Sequence, residues 1–161
     1  MRKIAVFTGT RAEYGLMSAL IKGIDESSDA ELALIVGGMH LSPEFGYTVS
    51  EIQSDGIPVS VELEFLVSSE TPVGISKSMG LAIISAAEYF ERERPHILVL
   101  LGDRFEAMAV AQAAMIARIP IAHIHGGEIT EGLIDESIRH SITKMSHLHF
   151  AATDAYVKRI H

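Results

Sequence analysis

The chain has no cysteine and no tryptophan, and its 13 lysines and arginines are outnumbered by 21 aspartates and glutamates. Without cysteine, disulfides, thiolate catalysis and cysteine-ligated zinc are excluded. The formal net charge is −8 and the cations are scattered along the chain, whereas a nucleic-acid surface needs a basic patch. Nucleic acid is therefore not an expected partner, and any anionic ligand must be bound by a few local residues.

Long apolar runs are also missing. No segment approaches the roughly 18 consecutive apolar residues that a membrane-spanning helix requires. The first apolar strand starts at Ile4, and nothing like the apolar core of a signal peptide precedes it. These features predict a cytoplasmic protein that does not bind membranes. The length of 161 residues suits one compact domain rather than two.

Short apolar runs alternate with segments of helical length. Six strands are predicted, at Ile4 to Phe7, Leu32 to Val36, Val59 to Leu63, Ile97 to Leu101, Ile119 to His125 and Leu148 to Ala152. Apolar residues at helical spacing predict one helix through Ile75, Met79, Ile83, Ala86 and Phe90, and another through Ile134, Ile138, Ile142 and Met145. The segment from Leu66 to Gly74 is predicted to be a loop. The alternation predicts an α/β fold with a doubly wound, Rossmann-like parallel sheet over residues 1–161.

Ligands of such sheets bind beyond the carboxyl ends of the strands, where the following loops meet. Four of these loops combine glycine with a charged or ionisable residue: residues 8–11, 37–40, 102–104 and 125–128. Four strand ends of the same composition predict one converging site more strongly than any single loop does.

The first of these loops, GTRAEYG, has two interpretations. Arg11 at the start of a helix could hold a phosphate together with backbone N–H groups. Alternatively, Thr10 caps the helix and Glu13 completes a capping box, which needs no ligand. The loop matches neither the Walker A pattern nor G-x-G-x-x-G. Both interpretations stay open.

The loop after the fourth strand has a similar ambiguity. Asp103 could cap the next helix while Glu106 reaches back, which is again a structural capping box. A capping box does not explain the presence of Arg104. An aspartate next to an arginine suits a site that handles both a proton and an anionic leaving group. Further along, Asp135 lies near the start of a helix, where the helix dipole favours carboxylates anyway.

Two histidines of the fifth strand, His123 and His125, share one face of it. This spacing permits metal binding, and with Asp103 and either Glu128 or His40 it would give a metal-dependent hydrolase that needs zinc or manganese and is inhibited by chelators. The simpler interpretation is that His123 is a hydrogen-bonded core residue. His125, next to two glycines, is then the functional candidate.

Five motifs in order, GTRAEYG, VGGMHLSPEFG, LLGDRFEA, PIAHIHGGE and IDESIRHSITKMSHLHF, resemble the hydrolysing UDP-N-acetylglucosamine 2-epimerases. The resemblance spans nearly the whole chain. Non-hydrolysing relatives typically begin with GTRPE and carry HVEAG where this chain has HIHGG, so the hydrolysing branch is the closer match.

The resemblance implies two Rossmann-like domains in the glycosyltransferase B arrangement, with the active site between them. This chain would be the N-terminal domain, and the C-terminal UDP-binding domain would lie outside it. The implied ligand is a UDP-sugar, with no cofactor and no metal, and the full-length protein would form a homo-oligomer, either a dimer or a tetramer. The isolated domain is expected to be inactive.

The implied reaction removes the C2 proton of the sugar, expels UDP to give a glycal, and adds water to yield the free 2-epimerised sugar. Asp103 and Asp135 fall at the acid/base carboxylates of the family, and His125 is the third catalytic candidate. The implied substrate-binding residues are Arg11, His40, Arg104, Glu128, Arg139 and His140.

His125 is a departure from the family, since better-known members have glutamate at that position. A histidine can still exchange a proton near neutral pH, or Glu128 could supply the carboxylate instead. The change would suit a subgroup acting on a modified sugar such as a UDP-diacetamido-trideoxyhexose. A non-catalytic nucleotide-binding domain is the remaining alternative, and it would leave several charged loops unexplained.

Overall fold

The computed structural model describes residues 1–131 and 134–160. Its strands are β1 (Arg2–Thr8), β2 (Ala30–Gly37), β3 (Val59–Leu63), β4 (Ile97–Leu101), β5 (Ile121–Ile124) and β6 (Leu148–Phe150). Its helices are α1 (Arg11–Asp25), α2 (Val49–Ser54), α3 (Pro72–Glu93), α4 (Phe105–Ile116), α5 (Ile134–Met145) and α6 (Asp154–Ile160), with two 3₁₀ turns at Gly38–Leu41 and Pro43–Phe45. None of the described helices is long and apolar enough to cross a membrane.

The six strands form one parallel sheet in the order β3-β2-β1-β4-β5-β6. Because neighbouring residues of a strand point to opposite faces, the buried strand residues divide between two cores. Ala5 and Phe7 pack with α3, α4 and α5 on one face. Val6 packs with α1 and α2 on the other. The predicted doubly wound α/β sheet is confirmed.

The order of the strands reverses between β1 and β4. Three strands lie on one side of this point and three on the other, so the loops after β1 and β4 leave the sheet in opposite directions. Such a switch point opens a crevice at the carboxyl edge of a parallel sheet. The fold therefore places the loops that follow Thr8 and Leu101 at the usual position for a ligand.

Several predicted boundaries are wrong. The fifth strand begins at Ile121 rather than at Ile119, and the sixth ends at Phe150 rather than at Ala152. The predicted loop from Leu66 to Gly74 is too long, because α3 begins at Pro72, where proline has no N–H to lose. Thr71 caps this helix by accepting a 3.1 Å hydrogen bond from the Gly74 N–H. The fifth strand ends at Ile124 rather than at His125, because the φ of +64° at His125 turns the chain out of the extended conformation.

Candidate active site

The loops after β1 and β2 are pinned together at the switch point. The Met39 N–H donates a 2.9 Å hydrogen bond to the carbonyl of Gly9. Gly38 has a φ of +60°, and a Cβ there would lie only 3.1 Å from that same carbonyl oxygen. A side chain at position 38 would force the two loops apart, which is why this turn needs glycine.

Arg139 connects the loops after β4 and β5. Only 7% of its side chain is exposed. Its guanidinium donates to a carboxylate oxygen of Asp103, to the His125 carbonyl at 2.7 Å, to Glu128 Oε2 at 3.4 Å and to Thr130 Oγ1 at 3.3 Å. The predicted substrate-binding arginine is thus a buried centre that holds two catalytic candidates in place, and its bonds to them are charge-assisted.

His125 is oriented by Glu128. Its Nδ1 lies 2.5 Å from Glu128 Oε1. Because a carboxylate only accepts hydrogen bonds, Nδ1 is the donor, and Nε2 is the ring nitrogen that takes no part in this bond. The left-handed backbone of His125 costs a non-glycine residue about 1–3 kcal/mol. Its N–H bonds to the Phe150 carbonyl at 2.9 Å, which helps to hold this conformation.

The two capping boxes that the sequence allows have different outcomes. The first is confirmed: Glu13 N–H donates to Thr10 Oγ1 at 3.3 Å, and Glu13 Oε2 accepts from the Thr10 N–H at 3.0 Å. The second, between Asp103 and Glu106, is wrong. The N-cap residue of α4 is Arg104, and its side chain makes no capping hydrogen bond. The two carboxylates of the predicted box have other partners: Asp103 pairs with Arg139, and Glu106 pairs with Arg104.

Two neighbouring cavities lie beside Arg104. The first, of 420 Å³, is lined by Arg104, Asp135 and mostly apolar side chains of α3, α4 and α5, among them Met79 and Met108. The second, of 390 Å³, shares Arg104 and extends along the 66–70 segment and the 3₁₀ turns. The two cavities share Ile75, Arg104 and Phe105, so they adjoin as one groove with Arg104 at its middle. Asp135 lines the first part of this groove, and Glu44 and Glu70 line the second.

Three predicted binding residues lie away from both the groove and the residues around Arg139. Arg11 is 73% exposed and pairs with Glu51 at 2.9 Å. His140 lies 3.3 Å from Glu136 on its own helix. His40 is fully buried, with its ring nitrogens 3.0 Å from Thr8 Oγ1 and 2.8 Å from Thr48 Oγ1, and burial lowers its pKa to about 4. Their binding roles stay predictions.

His123 is the hydrogen-bonded core histidine that the simpler interpretation predicts. Its Nε2 lies 2.7 Å from the Gly102 carbonyl and its Nδ1 lies 3.2 Å from Thr143 Oγ1, and burial lowers its pKa to about 4. Both nitrogens of His123 and both of His40 are thus engaged with protein groups. Within residues 1–131 and 134–160, no group of three or more histidines and carboxylates could hold a metal, so the metal-hydrolase alternative finds no support.

The sequence did not reveal two buried carboxylates beside Arg104. Glu106 is fully buried and Glu13 is 6% exposed. Burial raises the pKa of Glu13 to about 7; the Gly9 N–H and Arg104 oppose this rise, and Glu106 adds to it. The available signal was a glutamate in the first turn of α1 and of α4, but a cap explains such a glutamate equally well.

Because of Glu13, the free energy of unfolding should decrease as the pH rises. Its folded pKa of about 7 exceeds the ordinary value of 4.5, so the stabilising effect of its proton is complete below pH 4.5 and disappears as the pH rises through about 7. Between pH 5 and pH 8 we expect the chain to lose on the order of 2 kcal/mol relative to a Glu13→Gln variant. Urea unfolding of both at the two pH values measures this, and a constant difference would contradict it.

The fold is a Rossmann-like α/β domain, and Asp103, His125, Glu128 and Arg139 lie together at the carboxyl edge of its sheet. The profile of the UDP-N-acetylglucosamine 2-epimerase family matches residues 22–161. The chain belongs to this family.

Individual relatives agree with this assignment. The hydrolysing GDP/UDP-N,N'-diacetylbacillosamine 2-epimerase of Campylobacter jejuni is 42% identical over 159 residues, or 99% of this chain. The hydrolysing UDP-N,N'-diacetylbacillosamine 2-epimerase of Legionella pneumophila is 41% identical over 160 residues. The chain spans 41% and 42% of the lengths of these two relatives.

A solved structure shows the same fold. The UDP-GlcNAc 2-epimerase of Neisseria meningitidis, crystallised with UDP-GlcNAc, matches 99% of this chain with a TM-score of 0.83 at 22% identity. The match covers 43% of that chain.

Proposed function

We propose that the full-length protein containing this chain is a hydrolysing 2-epimerase of a UDP-sugar. The observation that carries the proposal is the group formed by Asp103, His125, Glu128 and Arg139, in which one buried arginine fixes two carboxylates and a histidine at the carboxyl edge of the sheet. Acid/base chemistry requires proton carriers held in fixed positions.

The proposed reaction is the one that the family resemblance implies. One base removes the C2 proton, the C1–O bond breaks with its electron pair leaving on UDP, and a C1=C2 double bond forms. Water then adds its oxygen to C1, while an acid returns a proton to C2 from the opposite face. Two carriers on different sides of the sugar are therefore needed, and we assign these roles to Asp103 and Asp135, with His125 Nε2 as a third proton carrier held by Glu128.

Fixed positive charge assists the departure of UDP. Arg104 lies at the middle of the groove and is 37% exposed, so it can reach an anionic ligand there. A guanidinium already in position stabilises charge that develops on the leaving group without reorganisation. Arg11 and His140 are assigned supporting contacts with the substrate, as the family resemblance implies, whereas the fully buried His40 would act through the loops that it joins.

The preferred sugar is proposed to be a UDP-diacetamido-trideoxyhexose rather than UDP-N-acetylglucosamine. The two relatives above, at 41% and 42% identity, are both named as diacetylbacillosamine 2-epimerases. The first cavity supports this choice, because Met79, Met108 and Ile138 give it an apolar wall. A methyl and an extra acetamido group gain more from such a wall than hydroxyls do.

The remaining part of the enzyme lies outside this chain. We propose that this chain is the N-terminal domain and that a C-terminal Rossmann-like domain supplies most contacts with UDP. The enzyme would work without cofactor or metal and as a homo-oligomer. A site completed by a second domain also explains the expected inactivity of the isolated chain.

The decisive experiment is turnover by the full-length enzyme in deuterated water, followed by mass spectrometry and proton NMR. With UDP-N,N'-diacetylbacillosamine we expect free UDP and a free 2-epimerised sugar carrying deuterium at C2, and with UDP-N-acetylglucosamine we expect slower release. A product without deuterium would contradict removal of the C2 proton. Release of UDP from neither sugar would overturn the proposed function.

A further inference from the structure

Glu106 and Arg104 form an ion pair apart from the group around Arg139. No part of Glu106 is exposed. Its two oxygens accept hydrogen bonds from Arg104 Nε and Nη2, both at 3.2 Å. A buried carboxylate needs a close partner to keep its charge, and among the residues that the structure describes Arg104 is the only ion-pair partner of Glu106.

The guanidinium of Arg104 is fixed along one edge only. Nε and Nη2 bond to Glu106, and Nη2 also lies 4.0 Å from Met39 Sδ. Within residues 1–131 and 134–160, Nη1 makes no hydrogen bond. Two parallel bonds to one carboxylate set the plane of a guanidinium as well as its position. The Nε–Nη2 edge of Arg104 is therefore fixed by Glu106, and Nη1 remains a free donor beside the groove.

A second buried carboxylate, that of Glu13, adjoins this pair. A Cβ placed on Gly9 would lie 3.4 Å from Glu13 Oε2 and 3.5 Å from Glu106 Cβ, so the two glutamates flank the same glycine. With the pKa of Glu13 raised to about 7 by burial, Glu13 holds a proton below neutral pH. Glu13 Oε2 accepts hydrogen bonds from the Gly9 and Thr10 N–H groups at 2.7 and 3.0 Å, so it does not compete with Glu106 for the hydrogen bonds of Arg104.

We infer that Glu106 is a positioning residue, which orients Arg104 so that its Nη1 can bind the anionic part of the UDP-sugar in the groove. Glu106 itself is buried and does not reach the substrate. The inference rests on the proposed function for the identity of the ligand, whereas the orientation of Arg104 can be tested without any substrate.

The first test uses proton–nitrogen NMR of the 161-residue chain, in which an Arg104→Lys variant assigns the Arg104 Nε–H signal. We expect that signal to exchange slowly with water in the unchanged chain and at least about tenfold faster in Glu106→Gln, because a neutral amide is a weaker acceptor. Glu93→Gln is the control for the same chemical change, since Glu93 pairs with Lys3 at the amino-terminal end of β1, away from Arg104. Equal exchange rates in the chain and in Glu106→Gln would overturn the inference.

The second test is a double-mutant cycle in the full-length enzyme. We expect Glu106→Gln to lower kcat/KM for the UDP-sugar by about thirtyfold, mostly through KM, and to add less than about twofold when Arg104 is already glutamine. An equal loss in both backgrounds would show that Glu106 acts independently of Arg104, which would overturn the inference.

Two further results separate the possible failures. Arg104→Lys keeps the charge but cannot make both bonds to Glu106, so it should reproduce the KM effect even if Glu106→Gln fails to fold; an unchanged KM would contradict the inference. If the full-length enzyme converts no UDP-sugar, the proposed function is refuted. The NMR experiment then still tests whether Glu106 orients Arg104.

Discussion

Replacing Asp103 with asparagine should lower the kcat of the full-length enzyme by about a thousandfold, the range expected for loss of a general acid or base. Asparagine has the shape of aspartate and its oxygen can still accept the bond from Arg139, but it cannot take up a proton. We therefore expect a folded enzyme that binds the UDP-sugar and turns it over very slowly. Release of UDP over time measures the effect.

The matched control for this variant is Asp25→Asn. Asp25 is exposed at the last residue of α1, so the same chemical change there should leave kcat within about twofold. If Asp103→Asn retained more than about a tenth of the activity, Asp103 would be only a structural partner of Arg139, and the proton-transfer role would pass to Asp135 or His125.

The second large effect is expected on stability, from Arg139→Met. The change removes a cation with 7% of its side chain exposed, so that the partly buried Asp103 loses its ion-pair partner and Glu128 keeps only His125. Breaking a buried ion pair from one side costs about 3–5 kcal/mol. Urea unfolding of the 161-residue chain should show this loss as a lower midpoint with an unchanged slope.

Lys144→Met provides the comparison on the same helix. Lys144 is exposed in the last turn of α5, and its loss should change the free energy of unfolding by less than about 0.5 kcal/mol. A cost below about 1 kcal/mol for Arg139→Met would mean that water replaces the arginine easily. Arg139 would then not be the residue that holds the catalytic candidates in place.

The strands and long helices could be predicted because their signals are local. Apolar runs and the three-and-four spacing through Ile83 and Ile138 depend only on which face of an element is buried. The boundary at His125 could not be predicted in this way, because its left-handed backbone is held by a hydrogen bond to Phe150, which is distant in sequence.

The site was predictable in composition but not in connectivity. Loop glycines and charges after parallel strands indicated which loops would meet. No periodicity could show that Arg139 would lie beneath Asp103, because the two are 36 positions apart and meet only after α4 and α5 pack. The two capping-box patterns illustrate the same limit, since only the one at Thr10 formed. At Asp103 a distant arginine supplied the stronger partner.

The shared guanidinium of Arg139 also constrains how this site can change over generations. Asp103, the His125 carbonyl and Glu128 all use donors of one side chain, so their substitutions should combine non-additively. An exchange at Asp103 or Glu128 leaves the arginine without one of its carboxylates, and a glutamate at position 125 would replace the ring that bonds Glu128 by a second carboxylate. We expect exchanges such as glutamate for histidine at position 125 to become tolerable only with compensating changes around Arg139, so that this corner of the fold evolves by correlated steps.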